Sequence, residues 1–161
     1  MTVYQRRREM KTNYEKRLAL LKSGKNRVVV RLSNLYLHLL YIEHNPKGDI
    51  TKFSLTSKSL KSFCWPKGYR SLPACYLAGF LFGKEVIKRK LGIEAVLDLG
   101  LQNAFKKGRL FAGVKGMIDS GLKIPASSEA FPPEDRLKGK HNKTEQLFNT
   151  VKSTIDAKFA H

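Results

Sequence analysis

The stretch from Arg27 to Asp49 constrains the fold more than any other part of the chain. Its apolar residues recur at a period of two, which sends successive side chains to opposite faces of a β-sheet. Turn residues follow each half, at Ser33-Asn34 and again at Asn45 to Asp49. The stretch therefore predicts an antiparallel hairpin whose first face is apolar and is formed by Val28, Val30, Leu37, Leu39 and Tyr41.

The second face of this hairpin carries side chains that a hydrophobic core does not need. Arg31, Tyr36 and His38 alternate onto it together with Val29. A sheet face with a cation, an aromatic ring and an imidazole can stack on bases or contact phosphates. We therefore expect this face to be open and available to a nucleic acid.

The charge of the chain points to the same class of partner. A chain of 161 residues has 31 Lys+Arg against 13 Asp+Glu, a formal net charge of +18, and this length suits one domain of ordinary size. Such an excess creates a strong field for polyanions, of which nucleic acid is the first candidate and an anionic membrane surface the second. The charge is concentrated in the first 31 residues and again around residues 102–123.

The sequence also indicates the compartment. Cys64 and Cys75 lack the paired spacing of a zinc site, so we expect two small buried hydrophobes in a reducing, cytoplasmic environment. The basic cluster that begins at Arg6 is unlike a secretion signal. The longest apolar run, residues 74–82, is far shorter than the roughly 20 residues of a membrane span.

The remaining elements complete an α/β fold. We predict a third antiparallel strand at 50–56, a loop at 57–72, a helix from Pro73 to Gly92, a strand at 93–99 and a second helix at 110–120. The last strand should be parallel, so the sheet is mixed, with both helices on one face. Gly79 and Gly83 should let the first helix approach the sheet closely, and the glycines of the second helix should make it depend on the sheet.

The chain divides into three predicted segments. Residues 1–26 form a basic arm with a short helix, whose Tyr14, Leu18 and Leu21 share a face, and which orders on RNA. Residues 27–125 form the α/β domain. Residues 126–161 form an extended tail, interrupted by Pro132-Pro133, whose short terminal helix, at about residues 144–159, docks on a partner or on the domain.

The predicted loop at 57–72 allows two interpretations. Trp65, Lys67, Tyr69 and Arg70 mix aromatics with cations, which suits stacking on unpaired bases, but the aromatics could equally cap the core.

The aspartates of the domain are too few and too scattered to hold catalytic metals, and the histidines form no metal motif. We therefore expect neither an enzyme nor a cofactor or metal site.

Several segments, taken in order, carry a resemblance to a known family. They are residues 27–34 with Tyr36, 45–49, 72–79, 95–101 and 108–112, supported by 6–14, 127–129 and 133–136. The ordered series resembles the archaeal form of ribosomal large-subunit protein eighteen, over about residues 4–141. The chain departs from the family pattern at His38, Leu40, Cys64 and in the tail after His141.

This resemblance implies a fold, a function and partners. The fold would be the α/β type of the translational machinery, akin in topology to ribonuclease H without its active site. The protein would bind 5S ribosomal RNA and help to attach it to the large subunit at the central protuberance, beside large-subunit RNA and another 5S-binding protein. No membrane or small-molecule substrate is implied. The alternatives are a structured-RNA-binding or RNA chaperone module outside the ribosome, and a degraded nuclease.

The expected RNA contacts fall into three groups. The resemblance and the charge pattern together assign the basic cluster of Arg6, Arg7, Arg8, Lys11, Arg17, Lys22, Lys25 and Arg27. The resemblance assigns the sheet face and the later loop through Arg31, Ser33, Asn34, Tyr36, His38, Lys106, Lys107 and Arg109. The mixture of cations and aromatics adds Trp65, Lys67 and Arg70.

Overall fold

The computed structural model describes residues 4–66 and 68–159. In chain order the helices and strands are α1 (Gln5–Arg8), α2 (Tyr14–Lys22), β1 (Asn26–Leu32), β2 (Leu37–Glu43), β3 (Ile50–Thr56), α3 (Leu72–Lys88), β4 (Ala95–Asp98), α4 (Arg109–Asp119), α5 (Glu134–Leu137) and α6 (Glu145–Phe159). The four strands form one sheet in the order β3-β2-β1-β4. Both β1–β2 and β2–β3 are antiparallel, whereas β4 runs parallel to β1. The predicted α/β fold with a mixed sheet is therefore confirmed.

The central hairpin forms as its alternating pattern predicts. The five apolar residues of its first face, Val28, Val30, Leu37, Leu39 and Tyr41, are completely buried. The chain reverses over Ser33 to Tyr36, where the Ser33 N–H donates to the Tyr36 carbonyl at 2.8 Å. The Ser33 hydroxyl accepts from the Tyr36 N–H at 3.1 Å, so this serine side chain closes the turn.

Strand β4 is shorter than the sequence predicts, because the chain turns away at Gly100, where φ is +56°. The side chain of Gln102 then occupies the place that a longer strand would take beside β1. Its amide donates to the Leu32 carbonyl at 2.7 Å and accepts from the Leu32 N–H at 2.8 Å. One side-chain amide thus satisfies both backbone groups at the end of β1.

Helices α3 and α4 cover the apolar face of the sheet and pack closely against each other. Ser71 caps α3 by accepting from the Ala74 N–H at 3.4 Å, and Pro73 stands in the first turn as predicted. A Cβ added at Gly79 would overlap the Gly113 carbonyl, and a Cβ at Gly116 would overlap the Tyr76 carbonyl. The prediction that Gly79 serves a close approach to the sheet is wrong, because its neighbour is the other helix.

The segment 57–72, predicted to be a loop, contains a 3₁₀ helix at Ser57–Phe63. Its buried residues Leu60 and Phe63 are three apart, as the three-residue turn of a 3₁₀ helix requires. Two turns are too short for a periodic signal in the sequence. Trp65 follows and is only 3% exposed within the core cluster.

The C-terminal segment docks on the domain itself. Helix α6 adds Phe148, Val151 and Ile155 to the same core cluster and packs on α3 and the 3₁₀ helix. Its bounds, Glu145–Phe159, match the terminal helix predicted at about residues 144–159. Between α4 and α6 the chain forms two 3₁₀ turns and the single turn α5, which begins directly after Pro133.

The two cysteines differ in their surroundings. Cys75 is fully buried in α3, and this burial raises the pKa of its thiol to about 12. Cys64 is exposed and has a φ of +61°, so the prediction of a buried hydrophobe is wrong for this residue.

Within the described residues, no helix combines the length and the apolar character that crossing a bilayer requires.

The contact between the two helices generates a test of the fold. We expect Gly79→Ala to lower the free energy of unfolding by about 3 kcal/mol, the upper end for overpacking, because the overlapping atom belongs to the backbone. Urea unfolding measures this change. Gly24→Ala is the control, since nothing lies within 4 Å of its added Cβ and only its φ of +63° opposes the substitution, at about 1 kcal/mol. Equal losses in the two variants would contradict the close helix contact.

Candidate nucleic-acid interface

The basic arm folds back against the second face of the sheet. Asn13 caps helix α2, because its side chain accepts from the Lys16 N–H at 3.0 Å. Arg17 Nη2 donates to Asp49 Oδ2 at 2.8 Å, and Lys16 Nζ donates to the Gly100 carbonyl at 3.3 Å. The helix is predicted correctly, but it buries none of its residues, and Leu18 is 55% exposed. Polar contacts therefore tie the arm to the β2–β3 turn and to the loop after β4.

Beneath the arm, arginines and aspartates alternate across the sheet face. Arg27 is 4% exposed, and its guanidinium contacts Asp49 Oδ2 at 2.5 Å and Asp98 Oδ2 at 3.3 Å. Arg31 contacts the same Asp98 through Oδ1 at 3.3 Å and through the carbonyl at 2.7 Å. These contacts join five side chains into one network of alternating charge, in the order Arg17, Asp49, Arg27, Asp98 and Arg31.

Asp49 is the carboxylate that links the arm to the sheet. Burial by itself would raise its pKa, but hydrogen bonds with His44 and Arg27 and the charges of Arg27 and Arg17 outweigh this effect. The pKa of Asp49 is therefore below its ordinary value. The carboxylate stays ionised and holds the two arginines across all but strongly acidic pH.

The sequence predicted an open sheet face, but in the structure the arm covers part of it. Arg27 is paired and buried, and Val29 is 7% exposed, so neither presents its side chain to a ligand in this arrangement. The side chain of Arg31 remains 35% exposed, and His38 is half-buried with its Nε2 at 3.2 Å from Ser33 Oγ. The alternation identified this face correctly but not the arm that covers it.

A cavity of about 460 Å³, which we call the arm groove, lies between the arm and the sheet face. Its walls include one carboxylate, Asp98, and a larger number of cations, namely Arg6, Lys11, Lys16, Arg17, Arg27 and Arg31. An excess of this kind in a concave site attracts polyanions, because low-dielectric walls focus the field.

A second cavity, which we call the end cavity, has a volume of about 660 Å³ and lies at the end of the sheet where β1 and β4 stop. It shares Leu101 and Gln102 with the arm groove. Its cations are Arg70, Lys107, Arg109 and Arg136. The first three were predicted, whereas Arg136 was missed because it lies in the tail, where the local sequence carries little net charge.

Comparison with known proteins identifies the family. The family model described as ribosomal large subunit proteins 60S L5 and 50S L18 matches residues 1–93. The protein named large ribosomal subunit protein uL18 of Korarchaeum cryptofilum is 45% identical over 139 residues, which cover 86% of this chain and 70% of that protein. The chain belongs to this family of large-subunit ribosomal proteins. The resemblance drawn from the sequence motifs is confirmed.

Other archaeal members of the family show the same level of similarity. The uL18 protein of Caldivirga maquilingensis is 46% identical over 139 residues, covering 86% of this chain and 67% of that protein. The uL18 protein of Thermofilum pendens is 46% identical over 137 residues, covering 84% and 69%.

The other predicted contact residues of this family member lie mostly on its surface. Weak ion pairs hold Arg7 to Glu15, Lys11 to Glu9, Lys25 to Glu94 and Lys106 to Glu129, at 3.7, 2.7, 2.9 and 3.4 Å. Exposed pairs of this kind contribute little to stability, so a phosphate can replace the carboxylate. Arg8 and Lys22 are exposed and form no ion pair with any residue that the structure describes.

Trp65, Tyr36 and Lys67 complete the predicted RNA contacts. Trp65 is buried, so its ring caps the core and does not present a face to a base. Tyr36 is half-buried and packs on Tyr69 with ring centroids 5.9 Å apart, beside the exposed Asn34 of the turn. Lys67 lies outside the described residues. Among the side chains that are described, no three His, Cys, Asp or Glu residues cluster as metal ligands would.

The arm contacts predict a specific dependence on pH. The pKa of Asp49 is lower in the folded chain than in the unfolded chain, where it is about 3.9. Its contribution to stability is therefore fully present above pH 4 and is lost as the pH falls through the lower, folded value. We expect Asp49→Asn to lower the free energy of unfolding by about 2 kcal/mol at pH 7, and this difference from the wild type should shrink as the pH falls below 4.

Urea unfolding at several pH values tests this expectation. The matched control is Glu94→Gln. Glu94 forms an exposed ion pair with Lys25, and the loss of such a pair should leave the free energy of unfolding nearly unchanged. A loss in Asp49→Asn that persists unchanged in acid, or that merely equals the control, would show that the carboxylate does not hold the arginine network.

Proposed function

We propose that this member of the large-subunit family is a structural component that binds 5S ribosomal RNA and helps to attach it to the subunit at the central protuberance. The observation that carries the proposal is the pair of adjacent cation-lined cavities, which share Leu101 and Gln102. Large-subunit RNA and neighbouring ribosomal proteins, including another 5S-binding protein, are the further partners.

The physical basis is electrostatic attraction combined with fit. Each phosphate that a lysine or arginine neutralises releases condensed counterions, which supplies affinity without regard to sequence. Double-stranded RNA presents phosphates and 2′-hydroxyls on a shape that a groove can match, and unpaired bases add stacking. Helices α3, α4 and α6 occupy the other side of the sheet. We therefore place the RNA across the arm groove and the end cavity.

A scaffold rather than a catalyst is the role that this geometry supports. Asp49 and Asp98 lie on the same face, but each contacts arginines, as structural carboxylates do. A nuclease would need several carboxylates converging on divalent metal ions.

Competition for RNA tests the proposal. We expect the full chain to bind 5S RNA more tightly than random RNA of equal length, with a log–log salt slope of about −4 to −5 if some six phosphates are neutralised. Filter binding at several salt concentrations measures both quantities. Equal affinity for the two RNAs would favour a general RNA-binding or chaperone module, and a slope near zero would exclude electrostatic binding altogether.

The arm provides a second test. Arg6, Arg7, Arg8 and Lys11 are exposed, so trypsin should reach them in the free chain and should cleave them several-fold more slowly once 5S RNA fills the arm groove. Lys152 and Lys158 of α6 are the internal control, because α6 packs on the opposite side of the sheet. Equal cleavage of the arm with and without RNA would remove the arm from the interface.

A further inference from the structure

We propose that the end cavity holds a single unpaired nucleotide of the bound RNA, with its phosphate among Arg70, Lys107, Arg109 and Arg136 and its base against Phe105. The inference rests on the proposed function, since it requires that the chain binds RNA. It adds a defined subsite to that function.

The four cations of the end cavity lack a counter-charge. None of them forms an ion pair with any carboxylate that the structure describes, and no acidic residue lines the end cavity. The arm groove differs, because Arg17, Arg27 and Arg31 are already compensated by aspartates there. Like charges gathered without a counter-charge repel one another, and a bound phosphate relieves this repulsion.

Arg70 supplies a second observation on the same wall. Its Nε atom is buried and has no hydrogen-bond partner among the described residues. A buried donor without a partner costs free energy, and an acceptor that reaches the guanidinium recovers part of that cost. Phosphate is the natural partner, since arginine binds it through two parallel hydrogen bonds.

An exposed aromatic ring, Phe105, also lines the end cavity. Phe105 is 74% exposed and Leu101 is 56% exposed, although both line the cavity. The turn that carries Phe105 is anchored, because the Gly108 N–H donates to the Phe105 carbonyl at 3.1 Å and the Lys107 N–H donates to the Ala130 carbonyl at 2.8 Å. An exposed ring on an anchored turn offers a base a stacking surface whose backbone is already ordered.

The dimensions favour one nucleotide over a helical segment. A volume of about 660 Å³ lies within the range of sites for small ligands, whereas a duplex is far too wide to enter. Leu32, Leu72 and Leu110 provide an apolar wall, and the exposed amide of Asn103 can hydrogen-bond the edge of a base. Phosphate, base face and base edge thus each meet a suitable group.

The exposed apolar residues alone would also suit a protein partner. The four uncompensated cations decide in favour of RNA, because an apolar protein surface would leave them buried without a counter-charge. A protein partner remains as an outcome of the experiment.

The test measures the affinity of the full chain for 5S RNA at several salt concentrations. We expect Phe105→Ala to weaken binding about 5-fold to 100-fold, the usual loss for a base–aromatic stack, with an unchanged salt slope because no counterion is involved. Phe105→Tyr should restore binding. Arg109→Ala should weaken binding and reduce the slope by roughly 0.7 to 0.9.

Matched controls lie at the opposite end of the sheet, where β4 begins. Ile93→Ala removes an apolar side chain that is 49% exposed, and Lys123→Ala removes an exposed lysine that forms no ion pair among the described residues. Both should bind 5S RNA within twofold of the wild type. Thermal unfolding of all variants checks that an exposed Phe105 can be replaced without loss of the fold.

The outcomes separate the two proposals. If the wild-type chain does not bind 5S RNA at low ionic strength, the proposed function fails. If the wild type binds and Phe105→Ala matches Ile93→Ala, the proposed function stands and the nucleotide subsite is wrong. A Phe105→Ala variant that keeps its RNA affinity but loses another large-subunit protein would likewise overturn the subsite and assign the cavity to that protein.

Discussion

The charge compensation of Arg27 determines the organisation of the whole functional side of this molecule. Its guanidinium is buried on the sheet between Asp49 and Asp98, and a buried charge is tolerated only when it is paired. Asp49 comes from the β2–β3 turn and Asp98 from the end of β4, so one side chain joins both ends of the sheet. Arg17 binds the same Asp49 and extends the network into the arm. The carboxylate of Asp49 that neutralises Arg27 therefore also holds the arm.

The opposite side of the sheet follows a different principle. Glycines at the contact between α3 and α4 let the two backbones approach, and the pair seals the apolar strand residues completely. Helix α6 then covers the outer surface of α3. With that side filled by packed helices, the two cation-lined cavities lie under the arm and at the end of the sheet. Dense packing therefore holds the fold on one side of the sheet, whereas the concave cation-lined surfaces, which attract a polyanion, lie elsewhere.

The cations of the interface fall into two classes. In the arm groove, Arg17, Arg27 and Arg31 are paired with aspartates, which fixes their geometry but reduces the charge that these three offer to a ligand. Those of the end cavity are uncompensated by any described carboxylate. Positioning and attraction are thus assigned to different residues, an arrangement that the total charge of +18 does not reveal.

The sequence by itself determined the strands, the mixed sheet, the two packed helices, the excess of positive charge and the family, because periodicity, turn residues and motifs are local and are written in neighbouring positions. Only the tertiary structure decided what covers each surface. A period of two places Arg27 on a face but does not state that Asp49 and Asp98 will meet it there. Trp65 entered the core, Gly79 met a helix rather than the sheet, and Arg136 joined three cations from two other segments. These outcomes depend on contacts between residues far apart in the chain, and no local pattern encodes such a contact.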